Sequence, residues 1–211
     1  MLKDKRVVRA AGASIESAVR VVLAEFLDQT IEEEPDFSSA LAARIRDAGR
    51  DVKPMGVSLG IKVIRSHGPG TEEKQFGADF GGSLHIDLPG YQVRKGFLAQ
   101  AKLVRRGDMA AGEVTRLKEQ CVKMLKFTEA AYVFLYRRNG VFVSPAREVL
   151  AGEFTRMDQL FSTKLSRFYE QHIECFYGDV KLNVPANKLV ALLKNDQQIQ
   201  VRRRVDVSME G

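Results

Sequence analysis

Long apolar runs, cysteines and metal-ligand spacings are all scarce in this 211-residue chain, and each scarcity removes a class of protein. No apolar stretch is long enough to cross a bilayer, so no membrane partner is expected. The start, Met1-Leu2-Lys3-Asp4-Lys5-Arg6, leads toward an amphipathic helix and lacks the apolar core of a signal peptide. Cys121 and Cys175 are too few and too far apart for a disulfide framework, which makes a reducing cytoplasm the expected compartment. His67, His85 and His172 keep no zinc-ligand spacing with either cysteine. No Gly-rich loop ends in Lys-Ser/Thr, so nucleotide hydrolysis of the P-loop type is not indicated. Internal repeats and low-complexity linkers are also missing.

What is present is ordinary globular material with a basic bias. Hydrophobic residues make up 45% and charged residues 28%, with a net charge of +6 and a pI near 9.4. The length suits one domain with a small appendage and a sizeable core. The charge favours a polyanionic partner, although basic surfaces are also simply well solvated.

Periodicity outlines the elements. Ile15, Ala18, Val19, Val22, Leu23, Phe26 and Leu27 predict an amphipathic helix over 14–28, with Ser14 or Ser17 as cap. After Glu32-Glu33-Glu34, Pro35 breaks the chain, and Asp36 or Ser38 is expected to start a second helix ending at Gly49. Strands are expected at 57–64, at 76–86 with a bend at Gly81-Gly82, and at 93–104. A long helix follows over 112–128, striped by Val114, Leu117, Cys121, Met124 and Leu125, where Cys121 reads as core. Tyr132–Tyr136 is a buried strand, and Asn139-Gly140 signals a hairpin into Val141-Phe142-Val143. Residues 155–176 read as helical, Pro185 can open a short helix through Leu193, and Ile199–Val207 reads as a strand or a basic tail.

The chemistry concentrates in two places. One is Gly77-Ala78-Asp79-Phe80. The other is Gly96–Val104, where Phe97, Ala99, Ala101 and Leu103 alternate with Leu98, Gln100, Lys102 and Val104. On a strand, Gln100 and Lys102 then point the same way, an ammonium and an amide among apolar neighbours, a costly placement unless something holds them.

An acid on one strand, followed on the next by an acid or amide, one residue and a lysine, resembles the PD-(D/E)xK nuclease superfamily. Ala78 stands where that motif has proline and Gln100 where it has its second acid, both similar to the branch related to Mrr restriction enzymes. The resemblance covers roughly residues 14–146. It implies an α/β restriction-endonuclease-like fold: a central mixed β-sheet of four to five strands flanked by helices, with extra C-terminal helices. Residues 1–150 would form the nuclease core. Residues 151–211 would be a helical extension packed on it, serving substrate recognition or oligomerisation.

The implied activity is metal-dependent hydrolysis of phosphodiester bonds in DNA, in bacterial restriction, antiphage defence or repair. Mg²⁺ (or Mn²⁺) would be held by Asp79 and Gln100 with one more acid, and Lys102 would stabilise the attacking hydroxide. For that acid, Glu73 shares a face with Asp79 when a strand is counted by twos, and Glu72 does not. The superfamily often uses a first-helix glutamate instead, for which Glu16 and Glu25 are candidates. Gln120, one turn from Leu117 and Met124, is a candidate supporting residue, with Met124 where exonuclease branches commonly have tyrosine. Arg105, Arg106, Arg137 and Arg138, with Arg202–Arg204, are candidate contacts to nucleic acid, and equally solvated surface. Asp79 also fits a turn and Lys102 an edge strand. The alternatives are a non-cutting protein of the same fold that binds nucleic acid or a partner, and a toxin-like effector restrained by a regulatory partner. A homodimer partner is also open.

Overall fold

The structure, a computed structural model, describes residues 5–64, 72–104 and 111–196, with the side chains of 72, 73 and 111 outside the description. Helices α1 (Lys5–Leu27) and α2 (Glu34–Val52) precede strand β1 (Val57–Val63). A short helix α3 (Glu72–Phe76) leads into β2 (Phe80–Leu88) and β3 (Tyr91–Leu103), followed by α4 (Ala111–Leu125). Then come β4 (Ala131–Arg137), β5 (Gly140–Pro145), α5 (Ala146–Ala151), β6 (Thr163–Lys164) and α6 (Leu165–Ile173).

The strands form one mixed sheet in the order β1-β2-β3-β4-β5-β6. Only β3 and β4 run parallel, and α4 is their crossover. The sheet has six strands, not four to five. The extra one is a two-residue segment of the C-terminal part, where Lys164 and Thr163 pair with Phe142 and Val143. No periodicity can develop over two residues.

Side chains alternate between two cores. Phe97, Ala99 and Ala101 of β3 and Tyr132, Phe134 and Tyr136 of β4 face α1, α2 and α6. Leu98, Val133 and Leu135 face Leu117, Cys121 and Met124 of α4, with Leu182, Leu189 and Leu193 from the C-terminal part. Burying a side chain of this size contributes roughly 1.5–3 kcal/mol. Residues 165–193 therefore belong to both layers.

Several boundaries differ from expectation for local reasons. α1 is already helical at Lys5, so Ser14 lies inside it and donates to Asp51 of α2 at 3.1 Å. α2 begins at Glu34, with Pro35 in its first turn, and Ser38 is a buried partner of the Tyr136 hydroxyl at 3.0 Å, not a cap. α2 runs through Gly49, where a Cβ would sit 2.8 Å from the Leu59 carbonyl: the glycine permits close helix–sheet approach. β2 starts at Phe80, since 72–76 are helical and Gly77 turns with φ 74°. It stays paired through Gly81 and Gly82, whose missing side chains admit Leu189 and Phe97. The helix expected over 155–176 is confined to 165–173, and that opened by Pro185 is helical over 189–196 after a 3₁₀ turn. The 199–207 reading lies outside the described residues.

Candidate functional site

β3 outruns its neighbour. β2 pairs with β3 only from Phe80 opposite Ala99, so the β3 backbone beyond that point loses its strand partner on this side. Unpaired N–H groups at a partly buried strand end are costly, and two carboxylates replace the missing strand. Asp79 extends the ladder by one bond, its N–H donating to the Ala99 carbonyl at 2.9 Å. Its Oδ2 then accepts from the Ala101 N–H at 2.7 Å. Two residues further, the Leu103 N–H donates to Glu34 Oε2 at 2.6 Å. The capped donors lie roughly 6–7 Å apart along the strand.

The side chains of β3 complete the constellation. Gln100 is 1% exposed and donates from Nε2 to Asp79 Oδ2 at 2.5 Å, with a longer contact of 3.3 Å to the Ala101 carbonyl. Both partners are acceptors, which sets the amide orientation and turns Oε1 away from them. Gln100 Oε1 is buried and accepts no hydrogen bond among the described residues. Lys102 Nζ lies 3.5 Å from Glu34 Oε1, both side chains being partly exposed. Acid, amide, lysine and acid thus follow one another along the end of β3.

Two neighbours report the local field. The Tyr136 hydroxyl, buried against Ser38, is pushed well above the ordinary phenol range by burial, with Asp79 and Glu34 adding to the rise. Both carboxylates therefore act on one buried hydroxyl that arrives from the opposite face. On the α4 side, burial pushes the Cys121 thiol up to about 12, against the pull of the Lys102 ammonium. Cys121 is a protonated core thiol at neutral pH.

Glu34 was missed from the sequence, where it reads as the last acid of a run before a proline. Its partner Lys102 is 68 positions away, and no local pattern announces that contact. The alternatives considered lie elsewhere: Glu16 accepts from Ser166 at 2.8 Å, and Glu25 pairs with Arg44 at 3.3 Å. Glu73 belongs to α3, so counting by twos from Asp79 does not apply to it, and its side chain lies outside the described residues. Gln120 is buried on α4 beside Cys121, and its backbone carbonyl abuts Gly77, two residues before Asp79. Arg137 is partly buried, donating to the Met157 carbonyl at 2.6 Å and stacking 4.8 Å from the Phe142 ring. Arg138 is exposed, and Arg105, Arg106 and Arg202–Arg204 lie outside the described residues.

The chain matches no protein-family model, and no curated protein matches it. Among the described residues no helix is long and apolar enough to cross a membrane, and no three His, Cys, Asp or Glu side chains converge on one point. Asp79, Glu34 and the Gln100 amide oxygen are spaced along the end of β3, a sparse and spread set of oxygen donors. They suit a hard cation that keeps most of its waters better than one that needs a full protein cage.

Proposed function

We propose that the chain is a metal-dependent nuclease of the restriction-endonuclease-like fold, hydrolysing phosphodiester bonds in DNA. The observation that carries this reading is the Asp79–Gln100 pair: a buried amide held on a carboxylate, its own oxygen without a donor among the described residues, two positions along the strand from Lys102. A buried acceptor without a partner costs roughly 1–3 kcal/mol, a cost that a ligand at Oε1 removes. Mg²⁺ or Mn²⁺ is the ligand of this reading: Asp79 and Gln100 would hold it, and Glu34 and Glu73 are the further acids to be tested. When bound, such an ion would supply Lewis acidity toward the phosphoryl oxygen and lower the pKa of a water beside it.

The remaining roles fall to the chain itself. Gln100 Oε1 accepts from a water and orients it. Lys102 counters the charge that grows on the phosphoryl oxygens during attack, and Glu34 holds the lysine in position. A net charge of +6 favours a polyanionic substrate. Supercoiled plasmid incubated with Mg²⁺ is the test. The wild-type chain nicks it, while Asp79→Ala and Lys102→Ala each lose about a hundredfold or more. Equal cutting by all three proteins sinks the assignment.

One observation favours a second reading. Both carboxylates already cap β3 N–H groups, which explains Asp79 and Glu34 without catalysis. On that reading the chain binds nucleic acid or a partner without cutting, and Mg²⁺ and Mn²⁺ leave its melting temperature unmoved.

A further inference from the structure

A second basic feature lies away from Asp79, at the β1 edge of the sheet. A cleft of about 660 Å³ opens between β1 and the segment 183–187. Arg46 and Arg50 of α2, Lys62 of β1, His85 of β2 and Arg94 of β3 line it, and among the described residues no Asp or Glu does. Strand register sets part of this lining, with Lys62 four residues along β1 from the row that holds Arg94. Ser58, His85 and Arg94 lie in one row across the three strands, and Gly60, Ser83 and Gly96 lie in the next. Arg46 and Arg50 are four apart on a helix, hence on one face. Among the described residues, Arg46, Lys62 and Arg94 have no carboxylate partner. Arg50 is 3.0 Å from Asp47 in an exposed pair, and Asp87 is occupied by Gln92 at 2.8 Å. Like charges gathered without counter-charges repel one another, and an anion relieves that cost.

The cleft is built, not incidental. The Ala186 N–H donates to Ser83 Oγ at 3.1 Å, fixing the outer wall, and Gly60 lets that wall sit close on β1, since a Cβ there would lie 2.6 Å from Ser83 Oγ and 3.3 Å from the Ala186 methyl. Val184 and Pro185 add apolar surface, and Asn183 and Asn187 carry amide donors and acceptors. Its size falls in the range of small-molecule sites, roughly 300–1,000 Å³. The route from this cleft toward Gln100 on the same sheet face is roofed, with Leu182 pressed on Gly96 and Leu189 on Gly81. A continuous polynucleotide lying along that face has no open path. A compact ligand does not need one.

We propose that the cleft binds a small phosphate-bearing ligand of the mononucleotide class, its phosphate held by Arg46, Arg94 and Lys62 and its base against the 183–187 segment. Planar guanidinium forks match phosphate oxygens, and amides read base edges. The site does not depend on the nuclease reading and is tested without divalent metal.

Calorimetric titration of the full chain in EDTA uses AMP, inorganic phosphate and a single-stranded oligonucleotide as probes. AMP binds once per chain and raises the melting temperature, and inorganic phosphate competes with it. Arg46→Ala/Arg94→Ala weakens AMP binding at least about tenfold, the expected scale for lost charge-assisted contacts, while Arg167→Ala on α6 does not. All three arginines are exposed, so the fold survives, as circular dichroism checks. No AMP binding, or binding indifferent to the double substitution, overturns the proposal. It also falls if the double substitution abolishes oligonucleotide binding while AMP never binds, since the cleft is then part of an extended nucleic-acid surface.

Discussion

Replacing Gln100 with Glu supplies the second acid of the motif that the proposed function draws on and puts a carboxylate where Nε2 now lies 2.5 Å from Asp79 Oδ2. Gln100 is 1% exposed, so water does little to separate the charges. At about 3 Å and an effective dielectric constant near 20, two carboxylates repel by roughly 5 kcal/mol. The pair escapes by keeping one proton. Holding a glutamic acid neutral at pH 7, against a reference pKa of about 4.3, costs about 4 kcal/mol, which sets the ceiling. Gln100→Glu is therefore expected to lose roughly 2–4 kcal/mol at pH 7 in EDTA, or about 10 °C in melting temperature for a chain of this size. The shared proton raises the folded pair's pKa above its unfolded value. The folded state then binds more protons, so the loss is largest at neutral pH and fades as pH falls to about 4. Mg²⁺ or Mn²⁺ should return most of the stability, more than it adds to the wild type. The assay is thermal unfolding at pH 7 and pH 4.5, with EDTA or with either ion. A variant as stable as wild type at pH 7 without metal refutes the placement of the pair. A destabilised variant indifferent to both ions removes the metal from the site.

The remaining expectations concern the frame around that pair. Gly77→Ala combines a φ of 74° with a Cβ only 2.4 Å from the Gln120 carbonyl, so it should cost about 3 kcal/mol by denaturant unfolding and depress plasmid nicking by shifting the turn that carries Asp79. Glu34→Ala leaves the Leu103 N–H and Lys102 unmatched and should cost roughly 1–3 kcal/mol, whereas Glu34→Gln retains an oxygen for Leu103. If Glu34 serves catalysis, Glu34→Gln loses nicking with little change in melting temperature; unchanged nicking assigns it to structure and directs attention to Glu73. His172 is fully buried, and burial, helped by the Lys95 charge, lowers its pKa from 6.5 to about 3. The unfolded chain then takes up a proton that the folded chain refuses, so stability falls by about 1.4 kcal/mol per pH unit below about 6.5. Urea unfolding from pH 7 to pH 4 should show a steeper loss for the wild type than for His172→Leu.

Legibility in the sequence tracked the range of the interaction responsible. The alternation of Phe97–Val104 was readable because a strand with a different core on each face repeats every two residues, and the Gln100–Lys102 pair came with it. The hairpin at Asn139-Gly140 was readable for a local reason too: the turn joins Arg137 and Gly140 as pairing partners. The stretch before Asp79 was not, because helical 72–76 and the Gly77 turn interrupt what looked like one strand. Residues 155–176 carry an apolar face, but only 165–173 have α1 to pack against as a helix, and the preceding residues turn to supply β6.

The same distinction explains the acid that was missed. Asp79 and Gln100 lie on successive strands of a hairpin, where sequence order constrains spatial order. Glu34 reaches the site from the far layer, at the first turn of a helix whose position depends on the packing of Phe37, Leu41 and Ile45 against the sheet. Nothing in Glu32-Glu33-Glu34-Pro35 distinguishes which acid will meet Lys102. The deciding circumstance is an absence of strand: β2 begins only at Phe80, opposite Ala99, two residues short of a partner for Ala101 and four short of one for Leu103, and a carboxylate must come from outside the hairpin to cap the second of them. An unpaired N–H on β3 thus predicts an acid at this position more firmly than any motif does. Lengthening β2 by four inserted residues before Phe80, enough to reach Leu103, should make Glu34 dispensable for stability, and a Glu34→Ala cost that persists there would contradict this account.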